Sequence, residues 1–154
     1  MAGLMSRNKG KRGEREIVDM LQPVVNEIYL AHGKLPVYLK RNSLQTDCGG
    51  EDIAGLDWLA LEVKYQETTN LTAWWAQTLK QAGSSKEPVL IYRKNRMPWM
   101  AKLKLRTIVE GGILGGTVDC CGHALVAIES IIGIDDFLRW FRFRLNAVLQ
   151  QQQD

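Results

Sequence analysis

The run Gly50-Glu51-Asp52-Ile53-Ala54-Gly55-Leu56-Asp57-Trp58-Leu59-Ala60-Leu61-Glu62-Val63-Lys64 sets Asp52, Glu62 and Lys64 inside an otherwise apolar, strand-like stretch. Charge in such a place is costly unless it is paired, hydrogen-bonded or metal-bound. A short strand, a turn at Gly55-Leu56-Asp57 and a second strand bring Asp52 near Glu62. Alternation on the second strand puts Leu59, Leu61 and Val63 on one face and Trp58, Ala60, Glu62 and Lys64 on the other. Two carboxylates and an ammonium converging at a sheet edge suit Mg²⁺ and its waters. Asp57 competes with Asp52 but falls in the turn itself, where Asp is a common structural choice. The competing account, an ion-pair cluster on an exposed sheet face, explains the three charges poorly, because exposed pairs add little stability.

A chain of 154 residues, 45% hydrophobic and 24% charged, fits a single globular domain with a sizeable core. Its net charge of +3 is too mild to argue for a polyanionic partner. The distribution says more. Arg7, Lys9, Lys11, Arg12 and Arg15 crowd the N-terminus, and Arg93, Lys94, Arg96, Lys102, Lys104 and Arg106 form a second group. Such clusters form either a local surface for a polyanion or a solvated face. Three cysteines do not make a disulfide framework. Cys120-Cys121-Gly122-His123 lacks zinc spacing, its fourth ligand having to be distant Cys48, so these are read as core or loop thiols. No apolar segment has signal-peptide or bilayer character, so no membrane partner is expected and the expected compartment is the cytoplasm.

Residues 1–10 read as a flexible basic arm. A helix is expected from Lys11 to Gly13 onward through Ile17, Leu21, Val24, Val25 and Ile28, kinked or broken at Pro23. Helical phase puts Glu14 on the apolar stripe of Ile17 and Leu21, while Glu16, about 200° round from Glu14, should face solvent. An acid on the buried face fits a nearby site; a first-turn acid favouring the helix dipole is the alternative. Val37-Tyr38-Leu39 suggests a strand, followed by a polar loop over 41–50. After the Asp52–Lys64 strand pair, Asn70 or Thr72 caps a helix ending near Gly83, with Gln77 sharing a face with Trp74 and with Trp75, Leu79 and Ala82 more buried. Pro88–Tyr92 reads as a buried strand, Arg93–Arg96 as a charged turn, and Met97–Lys102 as a returning strand disturbed by Pro98. Gly111-Gly112 and Gly115-Gly116 mark a loop without the order of a phosphate-binding motif. Leu125–Ile128 suggests a short strand. A last helix over Asp135–Leu149 carries Phe137, Trp140, Phe141, Leu145 and Val148, a core stripe that also permits a dimer interface. The Gln-rich tail over 150–154 is expected to be disordered.

This order resembles the PD-(D/E)XK nuclease superfamily: an acid on a helix, then Asp, then Glu-x-Lys on paired strands, then a helix carrying Gln. It resembles more closely the archaeal-type Holliday junction resolvases and their phage relatives. Lys9-Gly10-Lys11-Arg12-Gly13-Glu14-Arg15-Glu16-Ile17 is similar to their opening, Asp52-Ile53-Ala54-Gly55 to their Asp-Ile motif, and Glu62-Val63-Lys64 to their Glu-Val-Lys. Trp75-Ala76-Gln77 and Val89-Leu90-Ile91-Tyr92-Arg93 are similar to phage members. The resemblance covers residues 9–100, and Glu51 stands where the superfamily's name has proline. Glu-x-Lys alone is a weak signal; the ordered set is much stronger.

The resemblance implies an α/β fold with a restriction-endonuclease-like core, a central mixed β-sheet flanked by α-helices. It implies catalytic roles for Glu14, Asp52, Glu62, Lys64 and Gln77. Asp52, Glu62 and Glu14 would hold Mg²⁺, for which Mn²⁺ can substitute, and hydrolysis would leave a 5′-phosphate and a 3′-hydroxyl. The implied partner is branched DNA, a four-way junction cut by paired symmetric nicks, which suits a two-fold symmetric homodimer. Arg7, Lys9, Lys11, Arg12, Arg93, Lys94 and Arg96 would hold the DNA backbone, and Arg41 and Ser43 would lie near the scissile phosphate. Another endonuclease on the same fold and a non-catalytic DNA-binding accessory protein remain as alternatives, since the motifs build the cut rather than the recognition.

Overall fold

The computed structural model describes residues 2–42, 51–109, 117–118 and 124–152. Helix α1 (Ala2–Ala31) comes first, then the short strands β1 (Lys40–Arg41) and β2 (Ile53–Ala54) and the long strand β3 (Leu59–Gln66). Helix α2 (Leu71–Ala82) leads into β4 (Glu87–Lys94) and β5 (Met100–Val109), followed by β6 (Thr117–Val118), β7 (Ala124–Gly133) and helix α3 (Ile134–Gln151). One mixed sheet runs in the order β3-β4-β5-β7-β6, with β3 and β4 parallel and the other neighbours antiparallel. The parallel pair requires a crossover, which α2 supplies.

The sheet alternates as the β3 pattern requires. Leu59, Leu61 and Val63 join Val89, Ile91, Ala101 and Leu103 beneath α1 and α3. From α1 come Ile17, Leu21, Val24, Val25 and Ile28, and from α3 Phe137, Phe141, Leu145 and Leu149. Full burial of each such side chain is worth roughly 1.5–3 kcal/mol. On the opposite face Leu90 packs with Trp74 and Trp75 of α2. Glu62 is the register partner of Leu90, so it shares this α2-facing side. Asn70 caps α2 by accepting a hydrogen bond from the Ala73 amide at 3.3 Å, and Gly83, with φ of 57°, closes it. The α/β fold with a mixed sheet flanked by helices therefore matches the expected class.

Several boundaries differ from the sequence reading. The N-terminal segment is not an arm: α1 is helical from Ala2 and continuous through Pro23. Pro23 and Asp19, the residue whose carbonyl loses its partner, are both exposed, so water reaches the gap in the ladder. Val37-Tyr38-Leu39 is not a strand. The Gln22 amide takes its backbone groups, donating to the Val37 carbonyl at 2.9 Å and accepting from the Leu39 amide at 2.8 Å. Strand β4 runs through Arg93 and Lys94, leaving the turn at Asn95 and Arg96, the latter with φ of 64°. Met97–Trp99 precede β5 rather than belonging to it, and β7 is longer than Leu125–Ile128. Trp58 turns to the opposite side from Glu62, stacking on Phe141 with centroids 6.1 Å apart. Gln150 and Gln151 belong to α3, as good helix formers can. The glycine loop at 111–116, Ser43, Cys48, Cys120, Cys121 and His123 lie outside the described residues.

Candidate active site

The β1–β2 ribbon meets β3 at Asp52. The Asp52 amide donates to the Leu61 carbonyl at 2.9 Å, and the Asn42 amide donates to the Asp52 carbonyl at 2.9 Å. The Asp52 side chain is pinned as well: its Oδ2 accepts the Val63 amide at 2.6 Å, and the residue is 5% exposed. A charge-assisted bond to a backbone N–H is among the stronger kinds. Gly55, with φ of 125°, makes the turn that lets the chain reach β3 so soon. Asp57 is exposed, as a turn residue should be.

Glu62 is 1% exposed in the middle of β3. Its Oε1 accepts the Gln77 side-chain amide at 3.0 Å and pairs with the Lys64 ammonium. Its Oε2 is buried with no hydrogen-bond partner among the described residues. A buried carboxylate oxygen left in this state is costly, and a cation or a bound water relieves it. The sequence pattern thus correctly joins residues from two elements, because β3 alternation and the capped register of α2 put Glu62, Lys64 and Gln77 on one side.

Glu14 reaches the site from α1. Its Oε2 pairs with the Arg41 guanidinium, the two side chains being 14% and 25% exposed. Glu14, Asp52 and Lys64 line one cleft of about 190 Å³ together with Gly10, Val63, Tyr65 and Gln66. Among the described residues no three His, Cys, Asp or Glu side chains are gathered closely enough to hold a metal ion as they stand. The donor chemistry nevertheless fits Mg²⁺, which takes one or two protein carboxylates and keeps several waters. Asp52 and the unpartnered oxygen of Glu62 are such donors, and Glu14 is a third within the same cleft as Asp52.

The basic residues divide. Arg93 is not a free surface cation. Its guanidinium lies 4.2 Å from the Tyr65 ring centroid and 4.4 Å from that of Trp99, and it pairs with Glu16 at 3.0 Å. Glu16 does not face solvent, since it also accepts from the Trp99 indole at 3.1 Å and from Arg12 at 2.9 Å. This cluster could have been read in part from register, because Tyr65 and Arg93 are direct partners across the β3–β4 pair. Lys9 pairs with Glu67 at 2.6 Å, and Asn95 donates to the same carboxylate at 3.1 Å. These bonds hold the Glu67 carboxyl below its ordinary range, the Lys9 hydrogen bond most of all. They also bring the start of α1 beside the β4–β5 turn, where Lys94 and Arg96 are exposed, as are Lys11 and Arg12 on α1. The Arg7 side chain lies outside the described residues.

Three further contacts had no sequence signal. Glu51 pairs with Lys86 at 2.7 Å, and Glu129 of β7 accepts the Trp75 indole at 2.8 Å and pairs with Lys102 at 3.1 Å. No helix among the described residues is long and apolar enough to cross a membrane. Comparisons with protein-family models, curated proteins and solved structures find no match for this chain.

Proposed function

We propose that this protein is a divalent-metal-dependent DNA endonuclease with a restriction-endonuclease-like core, acting on branched DNA as a junction resolvase. The observation that carries the reading is Glu62: a fully buried carboxylate with one oxygen unpartnered and the other held by Lys64 and Gln77. The order of elements supports it, with an acid on α1, Asp52 before β2, Glu62 and Lys64 on β3, Gln77 on α2 and a parallel return in β4.

Bound Mg²⁺ or Mn²⁺ would lower the pKa of a coordinated water and offset charge on the phosphate. Asp52, Glu62 and Glu14 would supply the carboxylate oxygens. The Val63 amide holds Asp52, and Gln77 holds Glu62, which would limit how far each carboxylate moves on receiving a cation. Lys64 lines the cleft and would balance charge on the phosphate or orient the attacking water. Lys11, Arg12, Lys94 and Arg96, exposed around the same end of the sheet, suit sequence-independent contacts to the DNA backbone. A two-fold symmetric homodimer would present two such sites to the two symmetric strands of a four-way junction.

The site assignment is tested by Glu62→Gln and Asp52→Asn. Each should abolish Mg²⁺-dependent cleavage while junction binding, followed by fluorescence anisotropy, survives. Near wild-type cutting by either variant would refute the metal assignment.

A further inference from the structure

We infer that Arg41 is the site's own counter-cation, holding Glu14 until a divalent metal takes that carboxylate and then turning to a DNA phosphate. The inference rests on the endonuclease reading above and adds a coupling between metal and DNA to it. Arg41 is carried by the same ribbon as Asp52: it faces Ile53 in the β1–β2 register, and the next amide, that of Asn42, bonds to the Asp52 carbonyl. Its guanidinium lies on Glu14 across a gap of 27 residues in sequence, in partly buried surroundings.

Charge gives the reason. The Glu14 carboxylate that Arg41 holds lines the same cleft as Asp52 and Lys64, so a dication drawn there by Asp52 competes with Arg41 for Glu14. Glu14 drawn to a metal weakens its hold on Arg41, and a guanidinium freed beside the cleft is suited to bidentate recognition of phosphate. Metal and DNA then strengthen each other's binding by the same factor, as linkage requires.

The test uses the full chain, with Ca²⁺ and Mg²⁺ as metal probes in calorimetry and labelled junction DNA in anisotropy. Arg41→Gln should raise metal affinity in the absence of DNA by about threefold or more, the scale of a partly exposed ion pair. The same variant should lower DNA affinity in Ca²⁺ while changing it little in EDTA. Glu14→Gln, a second and independent variant, should raise DNA affinity in EDTA, because Arg41 is then released. A residue that merely supports the fold would not move the two affinities of Arg41→Gln in opposite directions. Metal affinity unchanged or reduced in Arg41→Gln overturns the inference, as does DNA affinity unchanged in Glu14→Gln. Both outcomes leave the endonuclease reading standing if the wild type binds metal and DNA. A wild type that binds neither overturns both.

Discussion

Arg93 shows how a cation in a basic cluster can serve the fold rather than a ligand. Its guanidinium lies against both the Tyr65 and Trp99 rings, which meet each other edge-on, and is paired with Glu16, and its side chain is 18% exposed. Desolvated cation–π contacts are worth about 2 kcal/mol. Arg93→Gln should therefore lower unfolding free energy by about 1–3 kcal/mol, a loss typical of a broken partly buried network. Arg93→Lys should not restore it, since a lysine lacks the planar guanidinium that contacts both rings while pairing with Glu16. Urea denaturation checks both, and the DNA affinity of folded Arg93→Gln should stay near wild type. A large loss of DNA affinity at unchanged stability would return Arg93 to the interface. Glu62 presents the converse case: an acid at an apolar strand position, 1% exposed, keeps one carboxylate oxygen without a hydrogen-bond partner among the described residues.

At the scale of elements, α1 is the piece that reaches both the core and the cleft. Gly13 lets it lie close to the sheet: a Cβ there would meet the Trp99 ring at 3.0 Å and the Tyr65 Cβ at 3.1 Å. Trp99 is fixed by Glu16 and Arg93, so it yields little. Gly13→Leu should destabilise the protein by about 1–3 kcal/mol, the usual cost of overpacking, and should impair cleavage by displacing Glu14 one residue away. Thermal unfolding with a cleavage assay checks this, and an unperturbed variant would mean that α1 can shift freely. The apolar periodicities of α1, β3, α2 and α3 were legible in the sequence because burial imposes them directly. Asp52, Glu62 and Lys64 were legible as charges within an apolar strand-like run, and Gln77 from the helix face it shares with Trp74 and from the family resemblance. The helical first turns of α1, the Gln22 clamp on Val37 and Leu39, and the Arg93 stack were not. Each depends on tertiary contacts that no local period encodes.

For the whole molecule, a net charge of +3 conceals an uneven surface. Lys9, Glu67 and Asn95 tie the start of α1 to the turn after β4, so the exposed Lys11, Arg12, Lys94 and Arg96 are held around the end of the sheet that carries the cleft. DNA binding through such contacts should weaken steeply as salt rises, through counterion release. Anisotropy titrations across a salt series measure the slope, and a flat response would contradict a backbone clamp. The central claim is that the Asp52, Glu62 and Lys64 cluster cuts DNA with a divalent metal, and that four-way junctions are its substrate. Incubation of the purified protein with Mg²⁺ on four-way junctions, duplex and single strands tests this most directly. Paired symmetric nicks confined to the junction are the predicted result, and no cleavage of any DNA with either Mg²⁺ or Mn²⁺ would contradict it.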